Sequence, residues 1–331
     1  MMWSHPRAQS ALAFSALEHV PMTLHPAIFA NCTAKWPAPP AAAVTSTVSP
    51  AFTLPVSSII AQAVSAEMRS AAISPVGCGT FQSIWAFAEY TTAKAQMLWK
   101  VPQPTGEMAA LRISALTACA MIELTGKVKA GETVLVTAAA GGAGHFAVQF
   151  AKMAGCKVIG TCSNAEKAKA LCALGCDHII NYKTRDLGEA LTKIAPEGVD
   201  VAFEGVGGRM LQTVLDHLKE DGRLLQVGYI SEYPHNPARG EESAANELEA
   251  SALFWGSETI TRGRQTIYGN AWPKDFGAVA GCKQRVLELH ARGELVALVD
   301  GQRAFDGLES VPDAIEYMLS GAAVGKVVVR I

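Results

Sequence analysis

The alternation of apolar and polar positions becomes regular from Thr133 onward. The run 133–139 is apolar and β-branched, as expected of a buried strand, and 145–155 carries its apolar side chains at helical spacing. The same alternation of a short apolar run with a helical segment continues to residue 230. It predicts strands at 133–139, 157–162, 178–182, 199–208 and 222–230, and helices at 145–155, 166–175, 186–195 and 210–218.

Strands that alternate with helices indicate βαβ units and a parallel sheet. The predicted strands are almost entirely apolar, which is typical of a sheet covered by helices on both faces. The pattern therefore predicts an α/β fold, with a doubly wound (Rossmann) parallel sheet in a domain at 112–272.

The remainder of the chain is less regular. Residues 235–265 are rich in charge and predict a solvated loop with a short helix. Beyond them the pattern predicts helices at about 275–292 and 311–320, and strands at 295–300 and 326–331.

Residues 1–75 contain nine of the sixteen prolines but only five charged side chains. Two interpretations stay open: an organelle-targeting segment, or a disordered or mis-assembled leader without a function. The compartment is accordingly open between the cytoplasm and an organelle (mitochondrion, plastid or peroxisome). The uncharged run between Lys35 and Glu67 is broken by prolines, so no membrane span is predicted.

Bulk composition narrows the function classes. A net charge of −2 over 331 residues argues against a nucleic-acid partner. The eight cysteines are predicted to be reduced and packed. Cys172 and Cys176 could form half of a metal site or simply pack near one helix end, and without a second pair at zinc-ribbon spacing we predict no metal.

The segment Ala140-Gly141-Gly142-Ala143-Gly144 lies between a predicted strand and a predicted helix. Such a turn lets the backbone approach a pyrophosphate, and the helix N-terminus offers free N–H groups. Gly141, Gly142, Ala143 and Gly144 are therefore candidate residues of a dinucleotide site. The alternative is a tight turn that serves only helix–strand packing.

The second strand bears on which dinucleotide is bound. NAD-binding proteins usually carry an acidic residue about 20 residues after the glycines, on the ribose hydroxyl. Here the strand ends in Thr161-Cys162-Ser163, and Lys167 follows. Ser163 can donate to a 2′-phosphate and Lys167 can neutralise it, which favours NADPH. Alternatively, Ser163 is a helix cap and Lys167 an exposed cation.

Two further titratable residues stand near strand ends. Glu204 is either a general base or an acceptor for backbone groups of its turn. His145 either meets a phosphate or is an exposed histidine at a helix start.

The stretches VLVTAAAGGAGHFAVQFAKMAG, PEGVDVAFEGVGG, GRLLQVGYIS, FDGLES and GKVVV resemble the medium-chain dehydrogenase/reductase superfamily, in its zinc-independent quinone-oxidoreductase branch. The resemblance covers about 76–331. It implies an NADPH-dependent reductase of α,β-unsaturated ketones, such as 15-oxo-prostaglandin-like enones, alkenals or quinones, and a homodimer. FAEYT (87–91) resembles the family's strand before the cofactor domain.

By resemblance, three groups of residues bind the cofactor. One grips the 2′-phosphate, one lines the cleft and one lies near the nicotinamide. These groups are Ser163, Lys167 and Tyr182; Gly142, Ala143, Gly207, Tyr229 and Ile230; and Gly269, Asn270 and Ala271, with Trp272 following.

Hydride transfer to an enone creates an enolate, which needs a hydrogen-bond donor. Tyr229 and Tyr233 are the candidate catalytic donors, because they flank the end of the fifth strand. Both could instead be packing aromatics, with water as the proton source.

The resemblance also implies a GroES-like, β-rich substrate domain, which is incomplete here. Residues 76–111 would be its remnant and 273–331 its returning segment. The family's Asn-x-Ser-Asp segment is missing from 1–75, Ala323 replaces an Asn, and Ser114–Ala118 departs from Ser-Gly-Thr-Thr-Ala. An alternative function is therefore a non-catalytic NADPH-binding protein.

Overall fold

The structure is a computed structural model, and it describes part of the chain. Of the three strands before Trp99 and of Glu232, only the backbone is described. The predicted leader 1–75 lies largely outside the described residues, as do most of 76–98 and 233–258. The described residues are 52–55, 61–62, 90–93, 99–232, 259–270, 277 and 279–331.

A seven-stranded sheet forms the centre of the protein. Its strand order is β6-β5-β4-β7-β8-β10-β9, and every neighbouring pair is parallel except β9–β10. The order reverses between β4 and β7, where open α/β sheets place their ligand crevice. The strands are β4 (Thr133–Val136), β5 (Lys157–Cys162), β6 (His178–Asn181), β7 (Val199–Glu204), β8 (Leu218–Gln226), β9 (Thr259–Arg262) and β10 (Gln265–Tyr268).

Helices cover both faces of this sheet. Successive side chains of β4 point to opposite faces, so Val134 and Val136 pack in one apolar core while Leu135 packs in another. The predicted doubly wound α/β fold is therefore confirmed. The helices are α1 (Gly106–Thr125), α2 (Gly144–Met153), α3 (Ala165–Ala173), α4 (Leu187–Ile194), α5 (Gly208–Asp216), α6 (Ala280–Ala291) and α7 (Val311–Leu319).

Helix α1 was not predicted from the sequence. Its apolar residues surround it, so no amphipathic period marks it, and it packs in the same core as α2 and α6. It alternates α-helical and π-helical turns, the first π segment being Leu111–Ala115. Among the described residues, α1 alone is long and apolar enough to cross a membrane, and 67% of its most apolar window is buried inside the protein.

Several predictions outside the central strands need correction. Part of the predicted loop 235–265 is a β-hairpin, because β9 and β10 pair at the edge of the sheet. No strand forms at 295–300, where Val299 makes only an isolated bridge to Lys326. The last strand is shortened to β11 (Val328–Val329).

Short strand pairs stand outside the central sheet. Strand β1 (Phe52–Pro55) pairs with β3 (Tyr90–Ala93), and β2 (Ala61–Gln62) pairs with β11. Strands β1 and β2 lie in a segment for which the sequence predicted no element.

Candidate functional site

The glycine-rich turn joins β4 to α2 at the carboxyl edge of the sheet. Its backbone is tightly folded: Ala138 has a φ of 44°, and Gly141 donates its N–H to the Ala138 carbonyl at 2.8 Å. A Cβ on Gly144 would overlap the Ala138 oxygen and lie 2.8 Å from Ala139 Cα, so only glycine fits there. In the part of the chain that is described, the N–H groups of Ala143 and Gly144 have no protein acceptor. Together with the α2 dipole they form an anion-binding surface.

The C-terminal segment docks onto this turn. Gly325 donates its N–H to the Ala140 carbonyl at 2.7 Å and forms a parallel bridge with Gly141. Gly325 has a φ of 86°, and a Cβ there would overlap the carbonyl of Leu298. The glycine at 325 is therefore what lets the two backbones approach.

His145 connects the same two segments from beneath the turn. Its Nδ1 lies 2.8 Å from the Gly141 carbonyl oxygen, and its Nε2 lies 3.1 Å from the Leu298 amide nitrogen. Because a carbonyl only accepts and an amide only donates, these partners select the neutral Nδ1–H tautomer. Burial lowers the pKa of His145 from 6.5 to about 4. The expectation of an exposed histidine is wrong, because the distant C-terminal segment covers the ring and supplies its second partner, the Leu298 amide.

Ser163, Lys167 and Tyr182 lie at the carboxyl ends of β5 and β6. Burial raises the pKa of the Tyr182 phenol, and the neighbouring Ser163 hydroxyl opposes that rise. Lys167, in the first turn of α3, is buried, and its ammonium donates to the carbonyl of Gly321. Burial also lowers the Lys167 pKa. The expectation that Lys167 is an exposed cation is wrong, whereas its contact with a 2′-phosphate stays a prediction. Asn164, not Ser163, caps α3.

Glu204 is fully buried at the end of β7. Its carboxylate accepts hydrogen bonds from the N–H groups of Val206 and Gly207 and from the Thr137 hydroxyl, at 2.7 to 3.2 Å. Two roles were considered for Glu204, a general base or an acceptor for backbone groups of its turn. These contacts are those of the acceptor. They hold Gly207, which has a φ of 79°, at the start of α5.

The ends of β8 and β10 carry the other predicted residues. Tyr229 is buried beside Leu319 of α7, and Ile230 donates its N–H to the Gly205 carbonyl at 3.2 Å. The catalytic role of Tyr229 stays a prediction. Tyr233, Ala271 and Trp272 lie outside the described residues.

Asn270 follows Gly269 directly after β10. Its Oδ1 is buried and has no hydrogen-bond partner within the described part of the chain. A buried acceptor without a donor is costly, so this atom is suited to an N–H from a bound molecule. A primary amide, such as a carboxamide, would supply that N–H.

The cysteine pair considered as half of a metal site is split in the structure. Cys172 is exposed, while buried Cys176 directs its Sγ to the carbonyls of Val158 and His178. Across the described ranges, no three His, Cys, Asp or Glu side chains are grouped as metal ligands. The absence of zinc stays a prediction.

Two side chains beside the turn were not predicted from the sequence as site residues. Ser114 lies in the π-helical segment of α1, and Lys326 follows Gly325. Both border the position that a side chain on Gly142 would take. No local pattern marks them, because only the tertiary fold brings residues 114, 142 and 326 together.

Known proteins are similar to this chain in sequence. A family model described as zinc-binding dehydrogenase matches residues 142–270. Prostaglandin reductase-3 of Mus musculus is 40% identical over 251 residues, which are 74% of this chain and 64% of the relative. A probable quinone oxidoreductase of Leishmania amazonensis is 37% identical over 246 residues, 74% of this chain and 70% of the relative.

A solved structure has a similar fold. CurA from Vibrio vulnificus, determined in complex with NADPH, is 28% identical with a TM-score of 0.60, and the match covers 74% of this chain and 71% of that one. The chain spans just under two thirds of the prostaglandin reductase-3 relatives.

Proposed function

This chain belongs to the medium-chain dehydrogenase/reductase family, among its quinone and enone oxidoreductases, and on that premise we propose that it is an NADPH-dependent reductase of α,β-unsaturated ketones. The observation that carries the proposal is the glycine-rich turn. Its two amides without an acceptor in the described part of the chain, those of Ala143 and Gly144, lie at the N-terminus of α2 and beside the switch point of the sheet.

The residues around the turn fit such a cofactor. The amides of Ala143 and Gly144 suit its pyrophosphate, and Asn270 Oδ1 suits the N–H of a carboxamide. No carboxylate ends β5; the hydroxyls of Ser163 and Tyr182 lie there instead, with the Lys167 ammonium nearby in α3. This chemistry favours a 2′-phosphate over a free ribose hydroxyl.

When bound, the nicotinamide supplies the hydride, which adds to the β-carbon of the enone. The chain's own part is to position the reactants and to stabilise the enolate oxygen. Tyr229 and Tyr233 are the proposed donors to that oxygen. Proton delivery to the α-carbon by water completes the reduction.

Turnover is the direct test. The purified chain should oxidise NADPH when it is given a 15-oxo-prostaglandin-like enone, an alkenal or a quinone. The loss of nicotinamide absorbance measures this oxidation. The alternative is a protein that binds NADPH without catalysis. NADPH binding without turnover of any of the three substrates would support that alternative and contradict the reductase.

Lys167 is expected to set the cofactor preference. Replacing it with methionine keeps the buried stem and removes the charge, so NADPH should bind about tenfold more weakly while NADH is unaffected. Fluorescence titration measures both dissociation constants. Lys169→Met is the control, because Lys169 is exposed on the same helix. Equal weakening of NADPH and NADH by K167M would contradict the assigned contact.

A further inference from the structure

Gly321 follows the end of helix α7 and directs its carbonyl toward helix α3. It has a φ of 70°, and its N–H donates to the Met318 carbonyl at 3.1 Å. This left-handed conformation favours glycine, which lacks the Cβ that would meet its own backbone. The Gly321 carbonyl accepts a hydrogen bond from Lys167 Nζ at 2.5 Å, although the two residues are 154 positions apart. A helix-terminating glycine therefore contacts the lysine that is expected to bind the 2′-phosphate.

The loop after α7 is held on both sides of this carbonyl. Ala322 donates its N–H to the Ser320 hydroxyl at 3.2 Å, and Val324 donates its N–H to the Asp300 carboxylate at 2.7 Å. The same carboxylate accepts a hydrogen bond from the Tyr317 hydroxyl of α7 at 3.2 Å. The protein itself therefore sets the direction of the carbonyl between these anchors.

The Lys167 side chain depends on this carbonyl for its position. Within the described ranges, Gly321 provides the one hydrogen-bond acceptor of the buried ammonium. Burial lowers the pKa of Lys167, and the charge of Lys183 adds to this effect. An ammonium has three N–H donors, so the bond to Gly321 fixes the long side chain and leaves two donors for an anion. A side chain that is already fixed loses less conformational freedom when its ligand binds.

We propose that Gly321 is a positioning residue for cofactor selectivity, and that its left-handed carbonyl holds the Lys167 ammonium where the 2′-phosphate of NADPH binds. The inference rests on the proposed function, because it concerns how Lys167 distinguishes NADPH from NADH. Gly321 needs no contact of its own with the cofactor. The C-terminal segment thereby contributes to a choice that is made at the start of α3.

Gly321→Val tests the proposal. A β-branched side chain is strongly disfavoured at positive φ, so the backbone should rearrange and turn the carbonyl away from Lys167. Gly293→Val is the matched control, because Gly293 follows α6 with a φ of 72° and donates its N–H to the His290 carbonyl. At both glycines an added Cβ would meet nothing within 4 Å. Gly321→Asn is the conservative variant, because asparagine tolerates the left-handed conformation.

The expected result is a change in selectivity at position 321 alone. Fluorescence titration should show that G321V binds NADPH about fivefold more weakly and NADH within twofold of wild type. G321N and G293V should keep the wild-type ratio of the two dissociation constants. Urea unfolding should show similar losses of stability for the two valine variants, so a loss of stability alone would not explain the altered ratio. Added to K167M, G321V should leave the ratio unchanged, because the effect passes through Lys167.

Three results would overturn the inference while leaving the proposed function intact. A wild-type ratio in G321V would reduce Gly321 to a helix terminator. Equal weakening of both cofactors by G321V would indicate a distorted crevice and not a displaced lysine. A further change of the ratio when G321V is added to K167M would show that the effect does not pass through Lys167.

Failure of the proposed function gives a different result. A wild-type chain that binds neither NADPH nor NADH would overturn the proposed function and this inference together. Equal weakening of both cofactors by K167M would overturn the 2′-phosphate contact on which the inference rests. Both results are obtained before any variant of Gly321 is made.

Discussion

Replacing Gly144 with alanine is expected to destabilise the protein by at least about 3 kcal/mol and to abolish dinucleotide binding. The added methyl group would overlap the Ala138 carbonyl oxygen and lie 2.8 Å from Ala139 Cα. Both neighbours are backbone atoms of a turn that already holds Ala138 at a φ of 44°, so no flexible side chain can move aside. The turn must open or α2 must shift. Urea-induced unfolding measures the loss.

Gly281→Ala provides the matched control for Gly144→Ala. Gly281 is exposed in the first turn of α6, and a Cβ there would meet nothing within 4 Å. Because alanine favours helix more than glycine, this variant should be as stable as wild type or up to about 1 kcal/mol more stable. If G144A unfolded within about 0.5 kcal/mol of wild type, the tight fit of the turn would be contradicted.

Acidification is expected to weaken the fold through His145. Its pKa is about 4 in the folded protein against 6.5 for an ordinary histidine, so the unfolded chain binds the extra proton first. The stabilising contribution is complete above pH 6.5 and is lost progressively as the pH falls toward 4. The difference corresponds to roughly 3 kcal/mol.

The measurement is urea unfolding of wild type and of His145→Gln at a series of pH values between 7 and about 4. Glutamine cannot take up a proton in this range, so subtracting its profile isolates the histidine. Asp177 does not interfere, because its pKa is lowered: burial alone would raise it, but the hydrogen bonds from Lys152 and Val158 and the Lys152 charge outweigh burial. Parallel stability profiles for the two proteins would contradict a buried, neutral His145.

The central sheet was predictable because its signals are local. Each strand from β4 to β7 is a short and mostly apolar run that is followed by a segment with helical spacing, so both element types and their order emerge from neighbouring residues. Asn164 and Asp186 also mark helix starts, because each side chain accepts a hydrogen bond from the backbone N–H three residues later.

The edge hairpin was missed for a physical reason. Strands β9 and β10 lie at the border of the sheet, and β9 is largely exposed, so its sequence TITR has the polarity of a loop. Only pairing with β8 through β10 makes these residues a sheet. Helix α1 was missed for the opposite reason, since its burial on nearly all sides removes the amphipathic pattern that predicts a helix.

The residues of the candidate site likewise fall into those that local sequence predicts and those that it does not. Gly141 to Gly144 follow a strand and precede a helix, so the motif and its chemistry can be predicted from one stretch of sequence. His145 and Lys326 could not be placed, because their environment depends on contacts across the chain. The Leu298 amide that fixes the His145 ring is 153 residues away.

That separation has a kinetic consequence. Closing a loop of this length costs more conformational entropy than pairing β4 with β5, which lie 24 residues apart in register. The parallel sheet can therefore assemble while the backbone of residues 138–144 is still open to water. The contacts of the turn with the C-terminal segment, made through His145, Leu298 and Gly325, then form as a late event. A refolding chain should regain its helical and sheet content before it regains affinity for a dinucleotide.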